Sequence, residues 1–285
     1  MSFYLRVARI VIGNLSTNDL RISFTVEKSL VGYPNKAQMQ VYNLSQASRE
    51  QIEQEGARVE LYAGYENGDV PLLFSGNIIN VIHKKIGPDW VSEIYALDSA
   101  TALNTATINT TIPEGSTARD IYNTLIDNVE GITQGLTEGL TRCLNNRESL
   151  LRKAIRCGSV KKFLQELAEQ CGFEYSVNED VIETTEKGQP LTDAPPFIIN
   201  QKSGMIGSPE RTDVGVTVKN LLLPNLKLGR RIKIQSITEQ LNVGNLYFRK
   251  VSEIRNPGVY RIDKLIHTGD THDNPWYTEI TGRIF

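Results

Sequence analysis

The feature that most constrains this chain is a likeness between two distant stretches of it. Ile82-His83 is followed, after six residues, by Trp90-Val91-Ser92-Glu93-Ile94. Ile266-His267 is followed, after eight residues, by Trp276-Tyr277-Thr278-Glu279-Ile280. Each intervening loop carries a proline, Pro88 or Pro275. The chain holds only two tryptophans and three histidines, so rare residues recur here in one order. Upstream, Val41-Tyr42-Asn43-Leu44 is matched by Val218-Lys219-Asn220-Leu221. An alternating strand then follows in each half, Val59 to Ala63 in one and Arg231 to Gln235 in the other. The period is too long for a solenoid and fits a pair of related β domains. Each hairpin is expected to set its Trp at a strand start, the ring closing a barrel end and the indole N–H reaching a carbonyl.

Patterning along the chain agrees with this division. Ile22, Phe24 and Val26 alternate with polar neighbours, as do Gln38 to Val41 and Val59 to Ala63, which is the signature of half-buried strands. Gly64, Asn67, Gly68 and Asp69 mark a turn before Leu72-Leu73-Phe74. Ile78 to His83 and Val91 to Leu97 pair around Gly87-Pro88. A helical turn over Ser45 to Gln54 opens on a capping serine. From Thr101 the period changes to three and four. Ser116 precedes the apolar face Ala118, Ile121, Tyr122, Leu125, Ile126 and Val129. Ser159 precedes Val160, Phe163, Leu164, Leu167, Ala168 and Cys171, with Gly172 as the stop. Short strands Phe173 to Val177 and Val181 to Thr185 flank Asn178-Glu179-Asp180. The glycine-rich stretch from Gly131 reads as a loop or frayed helix. Pro195-Pro196 marks a boundary, after which β patterning resumes at Phe197 to Asn200, Val214 to Val218 and Arg231 to Gln235. A hairpin centred on Asn245 or Asn256, then Val259 to His267 and Trp276 to Phe285, completes it. The expected fold is mainly β with an α+β insert: two related β-barrels in tandem, residues 1–100 and 193–285, flanking an α+β domain over 101–192.

Composition narrows the function classes. A formal charge of −2 lacks the basic excess of a protein that binds nucleic acid by counterion release, and no sequence-specific nucleic-acid contact is expected. No run reaches the ~18 apolar residues of a membrane span, and arginines interrupt the apolar start where a signal peptide would need a continuous core. Cys143, Cys157 and Cys171 form no CxxC pair and read as reduced thiols.

The chemistry-bearing residues fall into several separate clusters. His267-Thr268-Gly269-Asp270-Thr271-His272-Asp273-Asn274 resembles a metallophosphoesterase loop, and His267, Asp270, His272 and Asp273 are ligand types suited to zinc or iron. A two-metal centre needs several more histidines, and only His83 remains, so turn chemistry explains the loop better. Asp98-Ser99-Ala100 and Gly207-Ser208-Pro209 lack a nucleophile elbow. Glu53 with Glu55, and Glu179 with Asp180, are adjacent carboxylates in polar stretches and do not face each other across a cleft. Lys84-Lys85 and Arg230-Arg231 read as solvated basic pairs. No catalytic, cofactor-binding or metal-ligating residue is therefore assigned. The competing classes are a metal-dependent hydrolase using the His267–Asp273 loop and a β-rich adhesin or carbohydrate-binding module. Adhesins expose clustered aromatics, whereas only 7% of this chain is aromatic, mostly in strand-like runs.

One family gathers these fragments in order. Phe24-Thr25-Val26, Val41-Tyr42-Asn43-Leu44-Ser45, Ala63-Gly64-Tyr65 and Phe74-Ser75-Gly76 resemble the start of phage baseplate hub and late tail proteins. Gly204 to Pro209, Leu221 to Pro224, and His267 to Asp270 through Pro275-Trp276 are similar to the second half of that family. The insert carries no such likeness. The resemblance implies a non-enzymatic homotrimeric hub in a contractile phage tail, related to type VI secretion spike proteins, with two barrels per subunit and no cofactor. A trimer of this kind would be a pseudo-sixfold adaptor between a hexameric tail tube and a trimeric central spike. Its implied partners are the tail tube protein on one face and a separate spike polypeptide on the other. Tape-measure and baseplate-wedge contacts are also implied, with assembly into the virion in the host cytoplasm and no membrane partner.

Overall fold

The computed structural model describes residues 5–17, 19–30, 34–53, 57–98, 100–140, 154–211, 214–236, 240–241 and 258–285. The hairpin expected at Asn245 or Asn256 lies outside them. The first seven strands are β1 (Arg6–Ile12), β2 (Leu15–Thr17), β3 (Ile22–Ser29), β4 (Lys36–Tyr42), β5 (Arg58–Tyr65), β6 (Leu72–Ile86) and β7 (Asp89–Leu97). They run antiparallel in the order β3-β4-β7-β6-β5-β1-β2. Helix α1 (Gln46–Ile52) interrupts them, its first turn capped by the Ser45 hydroxyl accepting from Ser48 N, a contact typically worth ~1 kcal/mol. Alternation does the folding here: Ile22, Phe24 and Val26 point into one core with Met39, Val41, Leu61, Phe74 and Ile94, and their polar neighbours face out. The two strands β1 and β2 were not expected, because arginines and glycine blur the period there.

The last seven strands are β13 (Phe197–Ile199), β14 (Met205–Arg211), β15 (Gly215–Leu221), β16 (Arg231–Ile234), β17 (Gln240–Leu241), β18 (Val259–Asp270) and β19 (Trp276–Arg283). Their order is β17-β14-β15-β19-β18, with β16 and β13 on the other flank of the start of β18. A second core gathers Val216, Val218, Leu223, Leu228, Ile232, Tyr260, Ile262, Leu265 and Ile280. β18 also pairs with β3, and this seam fuses both regions into one sheet of fourteen strands. Among the described residues the pairings trace an open path and close no cylinder. The mainly β expectation is met; the closed tandem barrels are not what the ladders form, because β18 spends its second flank on the neighbouring region.

Between these regions sit α2 (Ala100–Thr105), β8 (Thr107–Ile112), α3 (Ala118–Ile126), β9 (Thr133–Thr137), β10 (Ala154–Ser159), α4 (Val160–Cys171), β11 (Phe173–Asn178) and β12 (Val181–Glu186). They share a core of their own, built on Tyr122, Leu125, Leu140, Leu164, Phe173 and Ile182. Ser159 caps α4 and Gly172 ends it with φ 72°, as its sequence demands. Thr117, not Ser116, caps α3, because Asp120 completes a reciprocal box with it, while the Ser116 hydroxyl donates to Pro113 O. Within the glycine-rich stretch Thr133–Thr137 form strand β9, parallel to β12, where a loop or frayed helix was expected, and Glu138–Leu140 follow as one 3-10 turn. A Cβ at Gly135 would lie 2.6 Å from Val181 Cγ1, and one at Gly139 would lie 2.5 Å from Thr185 O, so glycine there permits close strand approach. Cys157 is free and exposed, whereas Cys171 is disulfide-bonded. This corrects the expectation of three thiols, since sequence spacing does not report which sulfurs approach in space.

Candidate functional site

The site that the fold builds is the sheet running across the seam, with one long hairpin on each side. In the first hairpin Ile86 faces Asp89 around Gly87-Pro88, and Gly87 has φ 61°, the positive value that a two-residue primed turn requires. His83 stands opposite Ser92, Ile82 opposite Glu93, and Val81 opposite Ile94. In the second hairpin His267 stands opposite Thr278, Ile266 opposite Glu279, and Leu265 opposite Ile280. Each His Nδ1 meets the facing hydroxyl, at 2.8 Å in His83–Ser92 and 2.9 Å in His267–Thr278. Both ladders slip by one residue at the same place, between Ile78 and Asn80 and between Ile262 and Lys264. A bulge is a built feature that turns a strand, and here it recurs in register.

Neighbouring strands keep the likeness. Arg58 faces Asn77 as Arg231 faces Arg261, and those partners are equivalent along the two long strands. Met39 faces Ile94 as Val218 faces Ile280. The matched tetrapeptides are thus offset by two residues: Val218 stands where Met39 does, not where Val41 does. A shift of two preserves which face each side chain uses, so the hydrophobic pattern alone does not detect it.

The two hairpins differ in what surrounds them. Trp276 is 2% exposed and its ring meets Phe24 edge-on at 5.6 Å and Tyr65 at 6.4 Å, inside the first core. Gly269 makes this possible, since a Cβ there would lie 2.4 Å from Phe24 Cζ. Trp90 is 40% exposed and lies beneath the Arg49 guanidinium of α1, 4.3 Å from the ring centroid. It does not close a barrel end as expected: Lys85 faces it where Gly269 faces Trp276, and both Lys85 and Trp90 are exposed. Burial pushes the Tyr65 hydroxyl up to about 12 beside Trp276, so it stays protonated at neutral pH. His267 is fully buried, and its Nε2 has no hydrogen-bond partner among the described residues. Burial, and then the Lys28 charge, hold its pKa well below 6.5, so it is neutral.

The loop that suggested metal chemistry is spent on structure. Asp270 takes a two-pronged contact from Arg21 (2.8 Å to Nη2) and accepts backbone N–H bonds from His272 at 2.8 Å and Asp273 at 3.1 Å. Burial alone would raise its pKa, but the Arg21 contact and those amides outweigh burial and lower it. His272 Nδ1 meets Thr271 Oγ1 at 2.9 Å, and the Asp273 carbonyl accepts from Arg6. Thr271 Oγ1 also accepts from Ile22 N, which staples the loop to β3. Among the described residues no three His, Cys, Asp or Glu side chains converge as metal ligands. Lys84 forms a 2.8 Å pair with Glu93, and Arg230 pairs with Glu183 at 2.9 Å and Asp193 at 3.0 Å, so neither basic pair is merely solvated.

Sequence reading missed the residues that brace the insert. The β11–β12 turn, with Glu179 and Asp180 at φ 51° and 67°, reaches the first β region. Buried Lys28 donates to Glu179 at 2.7 Å, and Arg58 contacts Asp180. The Asn35 amide donates to Asp98 at 2.7 Å, Val177 O at 3.2 Å and Asn178 Oδ1 at 3.1 Å. On the other side buried Arg261 holds Asp263 at 2.7 Å and Glu174 at 2.9 Å. The only hint in sequence was a lysine on the apolar face of β3; its partner lies 151 residues away.

No curated protein matches this sequence. Among solved structures, a tail protein of Neisseria meningitidis MC58 superposes with a TM-score of 0.65 at 11% identity, over 99% of this chain and 97% of that one. The 43 kDa tail protein of prophage MuSo2 from Shewanella oneidensis gives 0.64 at 8% identity, over 97% and 96%. The E. coli c3393 protein, a type VI secretion component described as similar to T4 tail proteins gp27 and gp5, gives 0.60 at 12% identity, over 97% of this chain and 76% of that one. At such identities the likeness is one of fold, and it runs through both hairpins and the insert. The sequence profile described as Baseplate hub gp41 matches residues 5–248, far more than half of the 285. With its hairpins in the fold of phage tail proteins and its sequence matched over that span, this chain belongs to the Baseplate hub gp41 family.

Proposed function

We propose that this chain is the trimeric structural adaptor of a contractile phage tail, meeting a hexameric tail tube on one face and a separate trimeric spike on the other. The observation that carries this reading is the repeated register of the two hairpins, down to the bulge and the His–hydroxyl pair. It supports two related barrel-like units, over residues 1–100 and 193–285, with the insert of 101–192 braced between them. Three chains then present six units around one axis. Such a ring matches sixfold symmetry in its sheets and keeps threefold symmetry in its inserts. A cyclic ring repeats one heterologous contact, so no flexible loop has to absorb the mismatch. The role is shape and symmetry, without catalysis, in the virion baseplate; assembly takes place in the host cytoplasm. Tape-measure and wedge proteins are further neighbours in this scheme. Sedimentation equilibrium of the purified chain tests it: the mass of three chains is expected, and a mass of six chains or of one at every concentration overturns it.

A further inference from the structure

The insert meets the two β regions through unlike contacts. On the first side it arrives as the tip of the β11–β12 hairpin, where Asn178 faces Val181 across a two-residue loop. Both loop residues are left-handed, Glu179 at φ 51° and Asp180 at φ 67°. A loop of this kind favours asparagine or aspartate followed by glycine, because other side chains crowd the backbone there. Glu179 is therefore the strained residue. Such a conformation persists only when its surroundings impose it. Here the first region imposes it: buried Lys28 donates to Glu179 at 2.7 Å, Arg58 donates to Asp180 Oδ2, and the Asn35 amide donates to Val177 O and Asn178 Oδ1. The seat is incomplete, since Asp180 Oδ1 is buried without a hydrogen-bond partner. An unpaired buried oxygen disfavours the state that buries it.

On the second side the ties carry no such strain. Arg230 holds Glu183 with two N–H donors, at 2.9 and 3.3 Å. Buried Arg261 reaches Glu174 at 2.9 Å and the Gln189 carbonyl at 3.3 Å, and Leu191 N donates to Gly229 O at 2.8 Å. None of Glu174, Glu183, Gln189 and Leu191 has a positive φ. We propose that the β11–β12 turn is a strained latch: the insert detaches from the first region at this turn, stays with the second, and lets Glu179 relax as it leaves. The ion pairs hold the latch shut, and the strain lowers the cost of opening it. The fused sheet then carries one part with two positions. The latch belongs to a single chain and needs no neighbour. Lys28 is 4% exposed while the turn is seated, so its amine reports the open state.

Acetylation of Lys28 in the full folded chain by N-hydroxysuccinimide acetate, read by peptide mass spectrometry, measures that opening. In the parent chain the Lys28 rate should rise with urea less steeply than global unfolding does, as a local opening requires. Glu179→Gln keeps the strain and weakens the tie to Lys28, so labelling should quicken about tenfold. Glu179→Asn removes the same charge but suits a left-handed turn, so it should label about fivefold more slowly than Glu179→Gln. Hydrogen exchange of the peptide over 186–193 should stay within about twofold of the parent in both variants, because the second-side ties persist. A Lys28 labelled only through global unfolding overturns the latch, and that measurement needs no variant. Equal labelling of Glu179→Gln and Glu179→Asn overturns the strain. Exchange over 186–193 that quickens in step with Lys28 overturns the hinge on the second region.

Discussion

The hairpins β6–β7 and β18–β19 share register, bulge and histidine, yet they live in different surroundings. One Trp is sealed against Phe24 and Tyr65; the other lies under Arg49 at the surface. One long strand is flanked on both sides, and the other has no strand beside Asn80 to Ile86 on its flank away from β7 among the described residues. Even the connections that follow β4 and β15 differ. The first is helix α1, and the second is the irregular stretch from Leu222 to Leu228, whose leucines are buried. The likeness lies in the backbone plan, and the differences lie where a unit meets something else. A repeated element is therefore most informative where the copies disagree, because that is where one backbone plan meets two different surroundings.

The largest expected effect that would break this comparison is at the tryptophans. Trp276→Ala should cost about 3–5 kcal/mol in urea denaturation, as large core truncations do. Trp90→Ala should cost less than about 1 kcal/mol, since it loses an exposed cation–π contact. Equal costs would mean that the two rings are not placed as described. Next comes the pair Gly269 and Lys85. Gly269→Ala forces Phe24 and Trp276 to shift and should cost about 1–3 kcal/mol, whereas Lys85→Ala should fall within about 0.5 kcal/mol of the parent.

The histidines sharpen the comparison through pH. The folded pKa of His267 lies well below 6.5, so below that pH the unfolded chain binds a proton that the folded chain refuses. Its contribution is full above 6.5 and is lost as pH falls toward the folded value, by at most about 1.4 kcal/mol per pH unit. His267→Gln should flatten the stability curve between pH 6.5 and 5 by that slope, measured by urea midpoints across the range. An unchanged slope would contradict the buried neutral state. The smallest effect is in stronger acid. The Asp270 pKa is lowered, so its contribution is present above the unfolded value of 3.8 and is lost as pH falls through the lower folded one. Arg21→Gln should move that last loss upward in pH, seen as earlier acid unfolding.

Much of this was legible in the sequence, and the rest was not, for physical reasons. Alternation located β3, β4, β5 and β16, and the Ser159 and Gly172 caps bounded α4, because those signals are local. The shared Ile-His and Trp motifs located both hairpins, and their ladders align as those motifs do. The tetrapeptide match failed by two residues, since period-two patterns are blind to such a shift. Strand β9 hid behind Gly135, which weakens every propensity while meeting a close approach that only the folded chain reveals. Thr117 outcompeted Ser116 through Asp120, a difference of one position that capping preference alone does not decide. The chemistry of the His267 loop was read as turn chemistry, and Asp270 holds that turn; its Arg21 partner was invisible 249 residues away. The ion pairs that brace the insert were unreadable for the same reason, as they join residues far apart in the chain.

The central claim is that three chains supply six related units around one axis, and a rotational analysis of electron micrographs of the assembled particle tests it most directly. The account predicts sixfold power in the ring of sheets at low resolution, breaking to threefold at the radius of the inserts, with three inserts a third of a turn apart. Six inserts around the ring, or a particle without rotational symmetry, would contradict it.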